Sequence, residues 1–402
     1  MNFFLKFKKL WIIFLFLIFA SSLFCDENLI IVSAAENDFT NGETAYPLEE
    51  TIMDLLDNLT LSYLEEYLKG IEYDFEETTL KERILTYIQG GEVDYQALFT
   101  RILDVFFKEI KEFLPAFICI AAIALTCGIM SSFSFGLMDQ SLKRLFSLIA
   151  FIAALIPLLN ILEVCYSSVK NSVEGLKTQM EILFPLLLTL MAASGSGAFV
   201  AVCQPSVAFL STTMTWVVAN VLLPISMILI AFSICGKISD DFKFVKFISV
   251  LKSMNKWMIG IGVSVFGLFL TVQGITAGTY DGVIRRVTKY ALGTGIPIIG
   301  GFLSGGFDLA VAGSLLIKNS LGYLGVFLMI TTIFRPLLIV CAVTLLLRLV
   351  SAISSPFSDS NISDFLSETA DCLNYMSAGI LFTAFLYFLS ILIAICSSGV
   401  LL

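Results

Sequence analysis

Apolar residues form long, nearly uninterrupted stretches over most of the chain beyond residue 113. A helix needs about 20 such residues to cross the hydrocarbon core of a bilayer. Stretches of this length predict eight membrane segments, at about 114–138, 145–164, 182–202, 206–234, 257–277, 295–316, 322–350 and 373–396. The pattern therefore predicts an all-α polytopic membrane protein with about seven or eight membrane segments.

The spacing of the prolines indicates an internal repeat. Pro185 and Pro224 are 39 residues apart, Pro297 and Pro336 are also 39 apart, and the two pairs are offset by 112 residues. Proline suits the first turn of a helix, where its missing N–H has no partner to lose, so each of these prolines is predicted to start a helix. Repeated units are a common way to build transporters. The predicted units are about 114–205, 206–320 and a partial 321–402.

Small residues in two of the segments favour a broken backbone. The segment that starts at Pro185 contains Gly195 and Gly197, and the segment that starts at Pro297 contains several glycine pairs. Irregular backbone at membrane depth is tolerated only where protein covers it or water lines it. We therefore expect both segments to be broken or re-entrant, with full crossings as the alternative. The re-entrant arrangement leaves eight Lys and Arg residues in cytoplasmic loops and six outside, which agrees better with the positive-inside rule.

Two charged residues lie within apolar stretches. Arg335 directly precedes Pro336, and Asp308 is the carboxylate of the glycine-rich segment. A charge at membrane depth is normally paired or faces a wet cavity, so Asp308 is the expected partner of Arg335. The alternative is that Arg335 reaches an interface and Asp308 caps a half-helix. The candidate conduit or broken-helix residues are Pro185, Gly195, Gly197, Pro224, Pro297, Gly300, Gly301, Gly305, Gly306, Asp308, Arg335 and Pro336.

A lysine-rich stretch precedes the fifth predicted segment. Residues 237–256 contain five lysines among regularly spaced apolar residues. Such a pattern is typical of an amphipathic helix that lies on anionic lipid headgroups. We therefore expect an interfacial helix here, separate from the membrane segment at 257–277.

The chain begins with a pattern typical of a secretory signal. Lys6, Lys8 and Lys9 precede an apolar run of about 15 residues, which is too short for a comfortable membrane span. Cleavage after Ala35 fits the preference for small residues, so residues 1–35 are predicted to be a signal peptide. An uncleaved signal anchor is the alternative, and both place the following residues outside the cytoplasm.

Charge divides the remaining chain into two parts. Residues 26–113 carry 21 Asp and Glu against 6 Lys and Arg, a net charge of −15, whereas residues 114–402 carry a net charge of +3. Apolar residues recur at helical intervals among the carboxylates. We therefore expect a small acidic helical extracytoplasmic domain at 36–113 and a polytopic membrane domain at 114–402. The acidic face is either simply solvated or docks a partner, and its charge argues against nucleic acid.

The composition disfavours catalysis. The chain is 57% hydrophobic and only 14% charged, which is typical of a membrane protein. It contains no histidine, and histidine is the usual general base and the commonest metal ligand. The nine cysteines include no CxxC pair. We therefore predict no enzyme activity, no cofactor and no metal site.

Several stretches resemble the stage III sporulation protein AE family of endospore-forming Firmicutes. They are "FPLLLTLMAASGSGA", "VLLPISMIL", "SVFGLFLTVQGITAGTYDGVIRRVTKYALGTGIPIIGG", "LIKNSLGYLG" and "RPLL". The resemblance covers about residues 114–402, and the acidic region matches only in kind. It implies a membrane subunit of the channel between mother cell and forespore, a secretion-like complex across the two membranes around the engulfed forespore.

The resemblance also implies partners and a location. The implied partners are the other stage III sporulation A-operon proteins, including an ATPase and ring-forming proteins, and the forespore protein Q. The implied location is the mother-cell-derived outer forespore membrane, with the N-terminal domain between the two membranes. A conduit-forming subunit, a scaffold that transports nothing and an independent secondary transporter are the alternative functions. No catalytic residue is implied.

Overall fold

The computed structural model describes residues 95–133, 140–193, 212–238, 246–268, 300–355 and 360–396, together with residues 197, 200, 201, 209 and 244. The helices are α1 Tyr95–Phe133, α2 Gln140–Ala193, α3 Leu223–Ile238, α4 at 246–268, α5 Gly300–Ser354 and α6 Ser360–Cys396. Within these ranges the chain is helical and contains no strand. The predicted all-α class is confirmed.

Five helical stretches are long and apolar enough to cross a membrane. They are Phe106–Cys127, Leu145–Ala193, Thr212–Ile238, Gly313–Ser354 and Ile362–Leu392. The protein is therefore an integral membrane protein by the length and composition of its helices. The predicted count of segments and the 112-residue repeat stay predictions.

Helix α6 is the central helix of the bundle and packs against α5, α3 and α2. The most apolar part of its span is 83% buried, whereas the corresponding parts of α1 and α2 are 22% and 28% buried. A helix that is buried all round belongs to a core, and a helix with an exposed apolar face needs lipid or a partner. The apolarity of α6 therefore serves packing, and that of α1 and α2 serves contact with the bilayer.

Helices α5 and α6 form a long antiparallel pair. Lys318 bonds to the carbonyl of Ile395 at one end, and Ser351 bonds to Ser363 at the other. The pairing covers 34 residues of α5 from Lys318 to Ser351, which is ~50 Å of helix at 1.5 Å per residue. The pair is therefore long enough to cross a bilayer and extend beyond it.

Glycines allow the helices to approach α6 closely. A Cβ added to Gly325 would lie 2.7 Å from Cδ1 of Ile391, and one added to Gly262 would lie 2.5 Å from Cζ of Phe382. Real Cβ atoms do not come so near to another heavy atom. These glycines therefore mark the sites of closest helix contact, as small residues do in membrane bundles.

The predicted breaks beside Pro185 and Pro336 are wrong. Helix α2 runs through residues 165–181 and places Pro185 in its interior, and α5 likewise places Pro336 in its interior. Lysine and glutamate pairs four residues apart support the helix over 165–181. Packing of the long helices offsets the backbone hydrogen bond that each proline removes.

Pro224 lies at an irregular point of a helix, although it was expected to start one. It is the second residue of α3, but the helix does not start there because a π-helical turn, Val218–Leu222, precedes it without a break. A wider turn is a known accommodation where a proline or an inserted residue disturbs the hydrogen-bond ladder. The predicted helix start at Pro224 is therefore wrong, although the helix is irregular at that point.

Two predicted boundaries run through helices. Helix α1 passes the proposed boundary at residues 113 and 114, and α4 joins the lysine-rich stretch to the membrane segment predicted from residue 257. The interfacial helix is therefore not a separate element. The signal at 1–35 and most of the acidic domain at 36–113 lie outside the described residues.

Candidate functional site: polar contacts between the membrane helices

An ion pair joins the first helix to the middle of α5. Nε of Arg335 donates to Oε1 of Glu109 over 3.2 Å. The side chain of Glu109 is 5% exposed, whereas that of Arg335 is 72% exposed. The buried carboxylate of Glu109 therefore depends on Arg335 to compensate its charge. Most of the Arg335 side chain lies on the outer surface of the bundle.

A second polar contact lies one helical turn away on α5. Nε2 of Gln179 on α2 donates to Oγ1 of Thr332 over 2.7 Å, and Gln179 is fully buried. Together with the ion pair, this contact links α1, α2 and α5 at about the same height. Buried polar contacts of this kind fix the register of packed membrane helices.

The N-terminal part of α6 presents three carboxylates to its neighbours. Glu368 accepts a short hydrogen bond from Ser233 of α3. Asp364 lies 3.7 Å from Nζ of Lys237 on α3, and Asp371 accepts a hydrogen bond of 3.1 Å from Nη2 of Arg348 on α5. This cluster therefore ties α3 and α5 to the central helix.

A buried lysine holds the other end of α6. Nζ of Lys318 on α5 donates to the backbone carbonyl of Ile395 over 2.9 Å, and Lys318 is completely buried. The last carbonyls of a helix have no partner within the helix and carry the negative end of its dipole. The ammonium group is therefore placed where it stabilises the C-terminus of α6.

The outward face of α2 changes character along its length. Exposed and half-buried residues at spacings of three or four form one stripe, which we call the α2 stripe. Its first half is apolar: Leu145, Ile149, Ile152, Ile156 and Leu159. Its second half is polar: Glu163, Ser167, Lys170, Glu174, Lys177 and Glu181. Because spacings of three and four keep residues on one helix face, the same face suits lipid before Glu163 and water after it.

The structure does not bring Asp308 to Arg335. Both lie on the continuous helix α5, 27 residues apart, which is ~40 Å along the axis. The predicted pair is therefore wrong, and Glu109 is the observed partner of Arg335. Two residues of one helix can meet only when they are within about one turn of each other.

The other predicted residues are dispersed. Gly300, Gly301, Gly305 and Gly306 have helical backbone in the first turns of α5, so the helix is not broken at these glycines. Gly197 is exposed with open space around it. Gly195 and Pro297 lie outside the described residues.

Several of the observed polar contacts were missed by the sequence reasoning. The sequence predicts Glu109 in the acidic domain and Lys318 between two membrane segments. A signal for the carboxylates of α6 was present, because Asp364, Glu368 and Asp371 recur at intervals of four and three and so share a helix face. In the described ranges no three His, Cys, Asp or Glu residues are grouped so that they could hold a metal ion.

Comparison with known proteins gives a consistent match. A family model described as Stage III sporulation protein AE matches residues 78–398, a range that includes every helix named above. The Stage III sporulation protein AE of Bacillus subtilis (strain 168) is 22% identical over 269 residues, which cover 67% of this chain and 67% of that protein. No solved structure matches the chain.

Proposed function

The chain belongs to the stage III sporulation protein AE family, and from this membership we propose that it is a membrane subunit of the channel complex between mother cell and forespore. In this proposal its helices frame a conduit that supports forespore development. Its membrane is the outer forespore membrane, and its N-terminal domain lies between the two membranes. Its partners are the other A-operon proteins, including the ATPase and the ring-forming proteins, and the forespore protein Q.

The observation that carries the conduit is the exposure of Arg335. Its side chain is 72% exposed near the middle of the apolar span Gly313–Ser354, although it is hydrogen-bonded to Glu109. A guanidinium in contact with lipid tails is costly, so charged residues within membrane spans face water or protein. A subunit that frames an aqueous path, or that is joined to other subunits at this point, supplies such surroundings.

A scaffold without transport is the second candidate, and a different observation favours it. Large apolar side chains are exposed on α1, α2 and α4, including Ile118, Ile156 and Trp257 at 59%, 63% and 68%. Partner helices can cover such faces as well as lipid can. In this case the ion pairs only hold the bundle together, and the apolar faces recruit the other channel proteins.

Replacement of Arg335 by glutamine distinguishes the two functions. The variant is produced in sporulating cells, and three quantities are measured: its amount in the membrane, its recovery with a tagged A-operon partner, and late gene expression in the forespore. The amount in the membrane falls in either case, because Glu109 loses its partner. A conduit predicts that recovery falls only with this amount, whereas forespore expression is lost well beyond it. A scaffold predicts that recovery and expression fall together.

Arg348→Gln is the matched control. Arg348 lies on the same helix and is also paired with one carboxylate, Asp371, but at another height. We expect it to change stability little, because the side chains of Arg348 and Asp371 are 39% and 54% exposed, and to cause no selective loss of forespore expression. Normal amount, recovery and forespore expression in Arg335→Gln would refute a conduit at this site.

A further inference from the structure

Contacts with α6 fix the positions of α2, α4 and α5 along its axis. Each position can be given as the number of the α6 residue at the same height. Helix α2 runs parallel to α6, because Phe151 contacts Phe365 at 5.1 Å between ring centroids, and Leu183 and Ile391 both approach Gly325. These contacts place residues 163–181 of α2 at the height of about 375–389 on α6.

Helix α4 also runs parallel to α6. Gly262 packs against Phe382 of α6, and Asn255 bonds to Ser226 of α3. The height of Ser226 follows from two contacts on either side of it: Leu222, in the π-helical turn before α3, approaches Gly379, and Ser233 bonds to Glu368. These contacts place residues 257–268 of α4 at the same height, about 377–388 on α6. The polar half of the α2 stripe and the second half of α4 are therefore level with each other.

The outward face of α4 at this height is apolar. Trp257, Ile261, Val265 and Leu268 recur at intervals of four and three, and they are 68%, 53%, 42% and 69% exposed. The stripe extends back to Phe247, so the apolar face covers 22 residues, or ~33 Å. The part from Trp257 to Leu268 contains no charged residue and suits contact with lipid, whereas the part before it carries Lys246, Lys252 and Lys256.

The two outward faces cannot share one solvent. Lipid around the whole bundle at this height would place Lys170, Glu174, Lys177 and Glu181 in hydrocarbon, at a high cost for each charge. Water around the whole bundle would expose a long apolar stripe with no partner. The conflict disappears if lipid covers α4 and water covers α2 at the same height.

We propose that the polar half of the α2 stripe, with Arg335, forms the wall of a water-filled passage at membrane depth, and that α4 faces lipid. The proposal rests on the proposed conduit and assigns its lining. Arg335 is level with this wall, because its position between Gly325 and Arg348 on α5 places it at about residue 380 of α6. Water at this height also explains its exposure.

The charges of the wall indicate the class of solute. Glu174 is paired with Lys170 over 3.9 Å and Glu181 with Lys177 over 3.6 Å, so opposite charges alternate. A selective ion path uses rings of one sign of charge. A wall of balanced pairs creates little net field and therefore suits polar solutes without a strong preference for either charge.

The first experiment compares two sites at equal height. Thr178 of α2 and Val265 of α4 are both exposed and both level with about residue 385 of α6. Each is replaced by cysteine in the full-length protein in native membranes and treated with a membrane-impermeant maleimide, with the unsubstituted chain as background for the native cysteines. We expect Thr178→Cys to react at least about tenfold faster than Val265→Cys, because the hydrocarbon core contains no water.

A nitroxide label at the same two sites gives an independent measure of solvent. We expect Val265→Cys to be relaxed mainly by dissolved oxygen and Thr178→Cys mainly by a water-soluble nickel chelate. Access of the chelate to both sites would place this height outside the bilayer, and access to neither would place both sites in lipid or protein. Each of these results overturns the proposed lining. The proposed function would survive either result, since it is tested separately by Arg335→Gln.

The second experiment tests the balance of charge. Thiol reagents of the same size but opposite charge, a sulfonate and a trimethylammonium methanethiosulfonate, are applied to Thr178→Cys. Relative to their rates with a free thiol, we expect the two rates to agree within about threefold, whereas a wall of one sign would favour one reagent by about tenfold or more. A tenfold preference would refute the inferred solute class and leave the water-filled passage intact.

Discussion

The two partners of the ion pair between α1 and α5 should respond very differently to removal. Loss of Arg335 leaves the carboxylate of Glu109 buried at 5% exposure without its partner, whereas loss of Glu109 leaves an arginine that is already 72% exposed. A buried charge without its partner is strongly destabilising, but an exposed charge without its partner is not. We therefore expect Arg335→Met to reduce stability much more than Glu109→Gln.

The magnitudes follow from burial. Breaking a fully buried pair costs about 3–5 kcal/mol, and the exposure of Arg335 reduces this figure, so we expect about 2–3 kcal/mol for Arg335→Met. Glutamine at position 109 retains an acceptor oxygen for Nε of the arginine, so Glu109→Gln should cost about 1 kcal/mol. The double variant should recover most of the loss, because it leaves no buried charge.

Reversible unfolding in detergent micelles measures these differences. The four proteins of the double-mutant cycle are titrated with a denaturing detergent while helix content is followed, and the coupling free energy is taken from the cycle. Gln179→Leu is a useful comparison, since it removes the neighbouring polar contact with Thr332 without touching a charge. A larger loss for Glu109→Gln than for Arg335→Met, or no coupling between the two, would refute the reasoning.

Two further predictions concern packing around α6. Gly262→Val should destabilise the bundle by about 1–3 kcal/mol, because the introduced side chain meets Phe382. Gly260→Val on the same helix is the control, since position 260 has open space around it. Equal midpoints of detergent unfolding for the two variants would contradict this prediction. Lys318→Met should cost about 1.5–3 kcal/mol through the lost charged hydrogen bond to Ile395. Hydrogen exchange should then accelerate in the last turns of α6 but not near its N-terminus, and uniform acceleration would indicate a general loss of packing instead.

The helical class and the membrane location could be predicted because both depend on local composition. Long apolar stretches with few charges have few alternatives to a helix in a bilayer. The gap between the second and third predicted segments is wrong, because a polar stretch between two apolar stretches is not necessarily a loop. Residues 165–181 are polar, but they contain Lys and Glu at spacings that favour a helix, and their apolar members, such as Val169 and Val173, are fully buried.

The pairing of charges could not be predicted from the order of residues in the chain. Arg335 and Glu109 are 226 positions apart, and nothing in either local stretch identifies the other. Asp308 is the partner expected from the sequence, and it lies in the predicted segment before that of Arg335. That choice required a turn between the two segments, and α5 has none. The error in the helix boundaries therefore caused the error in the site.

Hydropathy also could not distinguish a helix in the core from a helix in lipid. The spans of α6 and α2 both exceed the threshold for a membrane helix, yet 83% of the first is buried and 28% of the second. The information lies in the outward face, which is visible only after packing shows which residues are outward. On α2 that face changes from isoleucine to glutamate and lysine within one unbroken helix. The change places the edge of the lipid contact near Glu163, in the interior of α2 and far from either of its ends.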